Sequence, residues 1–530
     1  MPAFWKLDRS IPAISVPFEP GRHDVVIVGA GITGLATGLM LATEGCDVAI
    51  VEAGEIAELA TGSNTGKVSL LQGSTLSTLR RHHPASLVRA YVDANRSGAQ
   101  WLADFAADAG VALTRRTAYS YTPSRSGMDI VDAEIEAGRE AGLDVRRAEE
   151  GELATPFPVL AAAALDDQIA IDPVTLADAL ARAFVAAGGT LHTGTRVRGV
   201  HAFPEPLVRT DAGALRADRI VLATGTAIMD RGLTFAKTRG LRSHCVAFAY
   251  DGEIGDGMFL SVEGPSRSIR SVTAQDGPAG FARLIVGGNG HPVGRSESEA
   301  ADIDDLVEWT HEFFPGAREV ERWSAQDYES HNLVPFVGVM PRTLGRVRFA
   351  TGYGKWGLSN GPAAAIRLAS EILRVPFRER PSWMIALGTR MTVPADLARG
   401  AKEGALVGAE AAKGWLRAES VAVPVPRPAE GEGVVAQRAG HPVAVSTVDG
   451  ETRAVSAVCP HLGGIVAWND ADCTWDCPLH ASRFGPDGKR IEGPTVDDLA
   501  PLESPHAASS TAKSGAERVG APSSAAPSTK

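Results

Sequence analysis

The stretch HDVVIVGAGITGLATGLMLATEGCDVAIVEAG, residues 23 to 54, decides the fold of the larger part of this chain. Its apolar run Val25 to Val28 reads as a buried parallel strand, and it meets Gly29, Gly31 and Gly34 in G-x-G-x-x-G register. An apolar-periodic helix follows to about Glu44, and Glu52 closes a second strand where a carboxylate can hold a ribose hydroxyl pair. Strand, glycine turn, helix, strand and acid in that order predict a Rossmann-like α/β unit. A dinucleotide pyrophosphate would rest on the helix N-terminus, met by its free backbone N–H groups. Residues 25 to 43 carry no charge, yet the glycine spacing and the missing flanking signals argue against a membrane span.

A second pattern lies far downstream, in CPHLGGIVAWNDADCTWDCPLHASRF (459 to 484). Cys459 and His461 read C-x-H, and fifteen residues later Cys477 and His480 read C-x-x-H. Two thiolates and two imidazoles in that order are what a Rieske [2Fe-2S] centre needs, with cysteines on one iron and histidines on the other. Zinc accepts the same four ligands, but zinc-finger spacing groups cysteines with cysteines and histidines with histidines, whereas each pair here is mixed.

Along 431 to 500 the chain resembles soluble Rieske ferredoxin-like domains. It departs from the respiratory type, which has a disulfide-forming cysteine in each loop where this chain has Gly464 and Leu479. The resemblance places Ser482 as a donor to a bridging sulfide, and Phe484 where a tyrosine often donates to a cysteine sulfur. Fewer donors stabilise the reduced cluster less, so a potential toward the low end of roughly −150 to +300 mV is expected.

Three further stretches bear on which dinucleotide binds. ADRIVLATGT (217 to 226) is a strand ending at Thr224 and Gly225, and FATGYGKWGLSNGPAAAIRLASEIL (349 to 373) is strand, glycine turn and helix, with Gly352, Gly357 and Leu358 in the turn. In this arrangement the chain resembles the FAD-dependent D-amino-acid oxidase/glycine oxidase-type family, which implies FAD. The helix is expected to open near Asn360 or Gly361, with Pro362 in its first turn. ATGSNTGKVSLLQG (60 to 73) matches the small, polar loop that runs along the flavin in that family, with Ser63, Asn64 and Thr65 as hydrogen-bonding residues. The resemblance also puts the Val197 backbone against the adenine. GKWGLSNG, WSAQDYESHNLVPFVG (323 to 338), SRSIRS (266 to 271) and LIVGGNGH (284 to 291) look like the subgroup fused to a C-terminal Rieske domain.

The expected layout is a Rossmann-like α/β FAD-binding domain with an inserted α+β substrate domain, followed by an all-β Rieske domain. An oxidoreductase part spans 1–375, with FAD-binding pieces at 23–75, 165–235 and 335–375 and a substrate domain at 76–164 and 236–334. A connector and linker run over 376–430, helical around 393 to 417 and Pro-rich at 421 to 428. The Rieske domain spans 431–503, and 504–530, rich in Ala, Ser, Pro and Thr, is a disordered tail. Asp172 and Pro173 start a helix that Gly188 and Gly189 stop.

A net charge of −11 and the lack of a basic patch exclude nucleic acid as a partner, and the arginine pairs 80/81, 115/116 and 146/147 read as solvated faces. With Cys459 and Cys477 assigned, Cys46, Cys245 and Cys473 make no disulfide framework, which suits a reducing cytoplasm. The N-terminus carries Lys6, Asp8 and Arg9 without a signal-peptide core.

A flavin takes two electrons from an organic donor, whereas an iron-sulfur cluster passes one at a time. Both in one chain predict a dehydrogenase or oxidase acting on a small amine, amino acid or related reductant, exchanging electrons with an external acceptor or donor protein. A nicotinamide-dependent flavin monooxygenase and a non-catalytic electron-transfer module are the alternatives. Arg270, Arg283, Tyr328 and Tyr353 are available to hold a substrate carboxylate, Lys355 and Trp356 sit in the glycine turn, and Lys67 is placed to meet flavin or substrate charge.

Overall fold

The computed structural model describes residues 3–6, 14–273, 277, 283–388, 394–421, 427–438 and 440–502. Residues 422–426 of the Pro-rich link and the whole expected tail lie outside that set. Among the described residues no helix is long and apolar enough to cross a membrane.

The opening stretch does form the centre of a parallel sheet. Strand Gly21–Val28 lies between Val48–Val51 and Ala214–Leu222, with Val25 opposite Val48 and Val28 opposite Leu222. Thr190–His192 and Val347–Thr351 extend the sheet on either side, and Phe336–Val339 closes it antiparallel. Every residue of Val48–Val51 is buried, as a parallel strand covered on both faces requires. Helix α1 (Ile32–Thr43) follows the glycine turn, and both α1 and α2 (Ala85–Asp108) pack against α3 (Gly357–Ile372). Although α2 falls within 76–164, it thus covers the helix that follows the last glycine turn. The helix Pro173–Ala186 starts as expected, with the Asp172 carboxylate accepting from the Val174 and Thr175 N–H groups.

The third glycine turn corrects the expectation. Helix α3 begins at Gly357, not at Asn360 or Gly361, and the Asn360 N–H already donates to Trp356 O at 3.0 Å. Lys355, at φ 73°, is held by its N–H donating to the Asp327 carboxylate, so the chain turns into the helix straight afterwards. Pro362 therefore lies inside the helix, where it has no N–H to donate to the preceding turn.

A nine-stranded, mostly antiparallel sheet forms the second layer, built from strands between Lys67 and Ser330. Its long strands Thr238–Ala249 and Arg318–Ser330 pair antiparallel along their length. On it, Arg116 departs from the solvated reading: it is buried, with Nε donating to Thr114 Oγ1 and Nη1 to Ser271 Oγ.

The C-terminal part consists of two four-stranded antiparallel sheets. One contains Gly433–Arg438, His441–Val448, Glu451–Ser456 and Pro501–Leu502, and the other Ala467–Asn469, Thr474–Asp476, Arg483–Phe484 and Arg490–Glu492. The connecting helix Pro394–Ser420 packs on the Gly433–Arg438 strand, and Trp415 Nε1 donates to Gly463 O at 3.2 Å.

Candidate functional site

A cavity of about 540 Å³ opens along the C-terminal ends of the parallel strands. It gathers Gly29, Gly31, Glu52, Ser63, Asn64, Thr65, Val197, Thr224, Gly225, Gly357 and Leu358, residues spread over more than 300 positions of sequence. Gly34 and Gly352 stand behind this lining. Gly34 is in the first turn of α1, where a Cβ would lie 1.9 Å from Gly29 O, so only glycine lets helix and turn pack this closely. Gly352 makes its left-handed turn (φ 85°) beside Ser330.

The Glu52 carboxylate accepts from the Ala30 N–H at 2.7 Å and the Gly54 N–H at 3.0 Å, which fixes it at the cavity edge, and burial raises its pKa. The 60–66 loop is clamped from outside by two tryptophans: Trp5 Nε1 donates to Asn64 O at 2.7 Å and Trp323 Nε1 to Ser63 O at 2.8 Å. The Asn64 side chain is engaged by its own loop, accepting from the Gly66 N–H. Main-chain groups are thus held rigidly along the edge of a slot lined by small residues and a buried carboxylate, which fits a flavin dinucleotide.

Lys67, Tyr353, Lys355, Trp356 and Tyr328 also line this cavity. Lys67 Nζ donates to Phe259 O at 2.9 Å and Ser268 Oγ at 2.8 Å, using two of its three N–H bonds. Burial, aided by the Arg270 charge, lowers its pKa to about 7. Tyr353 shares a hydrogen bond with Thr33 at 2.8 Å. Burial lowers the Lys355 pKa, while the same effect raises Asp327 to about 6. Arg270 is fully buried beneath the lining, with Nη1 donating to Gly66 O at 3.0 Å. Arg283 is exposed and does not line the cavity.

One wall of the cavity was invisible in the motifs. Gly485, Asp487, Lys489, Arg490, Ile491, Glu492 and Gly493, all from the C-terminal domain, stand beside Val197 and Tyr328. The two domains are joined by a buried ion cluster: Arg242, fully buried on the Thr238–Ala249 strand, donates to Asp472 Oδ2 at 2.8 Å and Asp476 Oδ2 at 2.7 Å. Nothing in the local sequence around Arg242 marks it, since its partners in the C-terminal domain are 230 residues or more away.

The four expected ligands converge at that junction. The His461 and His480 rings lie 5.0 Å apart and perpendicular, and Phe235 meets both edge-on at 5.1 and 4.9 Å. The side chains of Cys459 and Cys477, both buried, are within hydrogen-bonding contact. His461 Nδ1 is buried without a hydrogen-bond partner, as expected of an iron ligand, and the buried Ser482 side chain lies against that of Cys459. Gly464 and Leu479 fill the place of a disulfide by packing: a Cβ on Gly464 would lie 2.6 Å from Leu479 Cδ1. Cys473 is a free cysteine in a left-handed turn (φ 53°) between the loops. The residues fit a [2Fe-2S] cluster.

Tyr328 joins the two sites. Its ring lies 3.8 Å from where a Cβ of Gly225 would stand, and its hydroxyl donates to Ala481 O at 3.4 Å, next to His480. Gln326 Nε2 donates to the same carbonyl at 2.8 Å. Gly240 closes the contact, since a Cβ there would be 2.2 Å from the Ala481 methyl.

The family model of FAD dependent oxidoreductases matches residues 24–371, and that of the Rieske [2Fe-2S] domain matches 421–503. The chain belongs to the FAD-dependent oxidoreductases. This oxidoreductase binds FAD in its larger part and a [2Fe-2S] cluster in its Rieske domain. It is 26% identical over 506 residues, 94% of its own length and 97% of the relative's, to the Bacillus subtilis (strain 168) protein YhfW, which carries the name of a Rieske 2Fe-2S iron-sulfur protein. Its fold is similar to that of glycine oxidase from Geobacillus kaustophilus, with TM-score 0.58 and 20% identity, covering 70% of this chain and 100% of that one. L-proline dehydrogenase from P. horikoshii gives TM-score 0.57 and 18% identity, covering 70% and 98%.

Proposed function

We propose that this FAD-dependent oxidoreductase oxidises a small amine, amino acid or related donor and exchanges the electrons singly with its Rieske cluster and an outside partner. The observation that carries the reading is the Tyr328 bridge, with one face in the cavity and its hydroxyl on the carbonyl beside His480. A bound flavin supplies the two-electron acceptor, and the cluster supplies one-electron exchange.

The residues of the chain do the rest. The nine-stranded sheet faces the cavity with Lys67, whose remaining N–H is available to a substrate carboxylate, and with Arg270 adding positive charge behind it. Tyr353 and Trp356 border the same space and limit the size of the donor. Phe235 shields the two histidine rings from the side of the larger domain, and Gly485 to Gly493 exclude water from the cavity wall. The site residues named from sequence act in this reading as FAD contacts and cluster ligands, except Gly34 and Gly352, which shape the turns behind the cavity. Cys46, Cys245 and Cys473, none of them in a disulfide, support a reducing, cytoplasmic setting.

The test is an anaerobic screen of small amines and amino acids, followed by visible absorbance. The reading expects flavin bleaching with at least one carboxylate-bearing amine. If reduced nicotinamide bleaches the flavin rapidly and no amine does, the reading fails.

A further inference from the structure

A second cluster of ligating groups lies behind the domain junction, apart from the four cluster ligands. We propose that His244, His291 and Glu299 bind one divalent first-row transition-metal ion. This inference stands on the geometry of the junction and does not depend on the substrate or the electron path.

His244 and His291 come from the adjacent antiparallel strands Thr238–Ala249 and Leu284–Pro292. A register shift between Arg242 and His244 re-aims the side chains, as a bulge does, so that both rings reach the same spot. Glu299 opens the helix Glu299–Phe313. One donor atom from each of the three lies within 4.8 Å of the others.

The spacing suits a metal. The two Nε2 atoms are 3.3 Å apart, and two nitrogens each about 2.0–2.1 Å from a tetrahedral ion sit about 3.3 Å from one another. Glu299 Oε2 is 3.8 Å from His244 Nε2, and Oε1 is 3.9 Å from His291 Nε2. Asp302 Oδ2, 3.5 Å from His291 Nε2, is in place as a further oxygen donor.

Outer contacts set the rings for ligation. His291 Nδ1 is 3.0 Å from Pro292 O, a contact only an N–H can make, so Nε2 presents its lone pair. His244 Nδ1 is 3.1 Å from Ser324 Oγ. A hydrogen bond between the two rings would use a single proton and would give Glu299 Oε2 no donor, with Arg242 Nε standing 3.6 Å from it. Indeed Glu299 Oε2 is buried with no hydrogen-bond partner, on a side chain only 5% exposed.

Charge points the same way. Arg242 and Arg483 face four carboxylates at this junction, Asp472, Asp476, Glu492 and Glu299, and Asp302 adds a fifth beside His244 and His291. A divalent cation with N/O ligands offsets the excess and satisfies the orphaned oxygen. Its place indicates its work. Ser298 Oγ and the Ala300 N–H donate to Asp470 of the Rieske domain at 2.6 and 3.0 Å, so an ion on Glu299 would stiffen the seat on which that domain docks.

The test uses untagged, full-length protein carrying FAD and cluster, incubated anaerobically with Zn²⁺, Mn²⁺ or Fe²⁺ and desalted over a metal-free column. Elemental analysis should give one ion per chain beyond the two cluster irons. Glu299→Gln and His291→Ala should remove it while flavin and cluster absorbance stay unchanged. Zinc-edge X-ray absorption of the wild type should show imidazole and oxygen neighbours only, a readout that holds even if both variants fail to fold. No retained ion, an ion kept at full stoichiometry in both folded variants, or sulfur neighbours on zinc would each overturn the proposal.

Discussion

The flavin cavity and the cluster pocket, side by side in this molecule, are built on opposite plans. The candidate cluster ligands fall within residues 459 to 480 on two loops braced by the packing of Gly464 against Leu479. The flavin cavity draws on segments from Gly29 to Gly493, and its last wall belongs to the other domain. A pocket closed by neighbouring loops survives the loss of distant contacts, whereas a cavity closed by domain docking does not. The two sites should therefore respond differently to the same perturbation.

The sharpest break is Gly34→Val. A side chain directed at Gly29 O displaces α1 from the glycine turn, so FAD should be lost entirely while the cluster spectrum persists. Elution of flavin-free protein with intact cluster absorbance checks it, and retained FAD contradicts the local packing argument.

Next in size is Arg242→Met. It leaves Asp472 and Asp476 buried beside one arginine fewer, a change expected to cost about 3–5 kcal/mol. Thermal unfolding followed by flavin fluorescence and by cluster absorbance should separate into two transitions, the flavin signal leaving first. A single unshifted transition would show that docking does not depend on this ion cluster.

Tyr328→Ala removes the aromatic side chain that, beside Gln326, touches both sites. Flavin-to-cluster transfer should slow about tenfold, or about 1.4 kcal/mol in barrier, with both absorbances intact. Tyr328→Phe keeps the ring and should recover most of the rate, which a merely structural role for the hydroxyl would not give.

Lys67 offers a pH test of the cavity alone. Its pKa of about 7 lies below the usual lysine range, so the ammonium that would hold a carboxylate prevails below about pH 7. For an anionic donor kcat/KM should fall as pH rises through 7, and Lys67→Met should abolish that limb. The smallest effect concerns the cluster alone. Phe484→Tyr restores a donor worth about 1 kcal/mol, which raises the one-electron potential by about 40 mV.

The same difference in plan explains what the sequence made legible. The fingerprint from Val25 to Glu52 and the mixed Cys/His pairs are local, and local geometry follows from residue type and spacing. The Lys355 turn hid the true start of α3, because a distant carboxylate, Asp327, fixes it. Arg242, Tyr328 and the wall at Gly485 to Gly493 act only once two remote segments meet. Arg283 illustrates the converse, a plausible residue type whose position lies outside the cavity.

The measurement that bears most directly on the account is anaerobic stopped-flow with a bleaching donor, coupled to rapid-freeze EPR. The account predicts that flavin bleaching is followed by the reduced-cluster signal, at a rate independent of protein concentration. A cluster that stays oxidised beside a reduced flavin, or one reduced only as protein concentration rises, would contradict it.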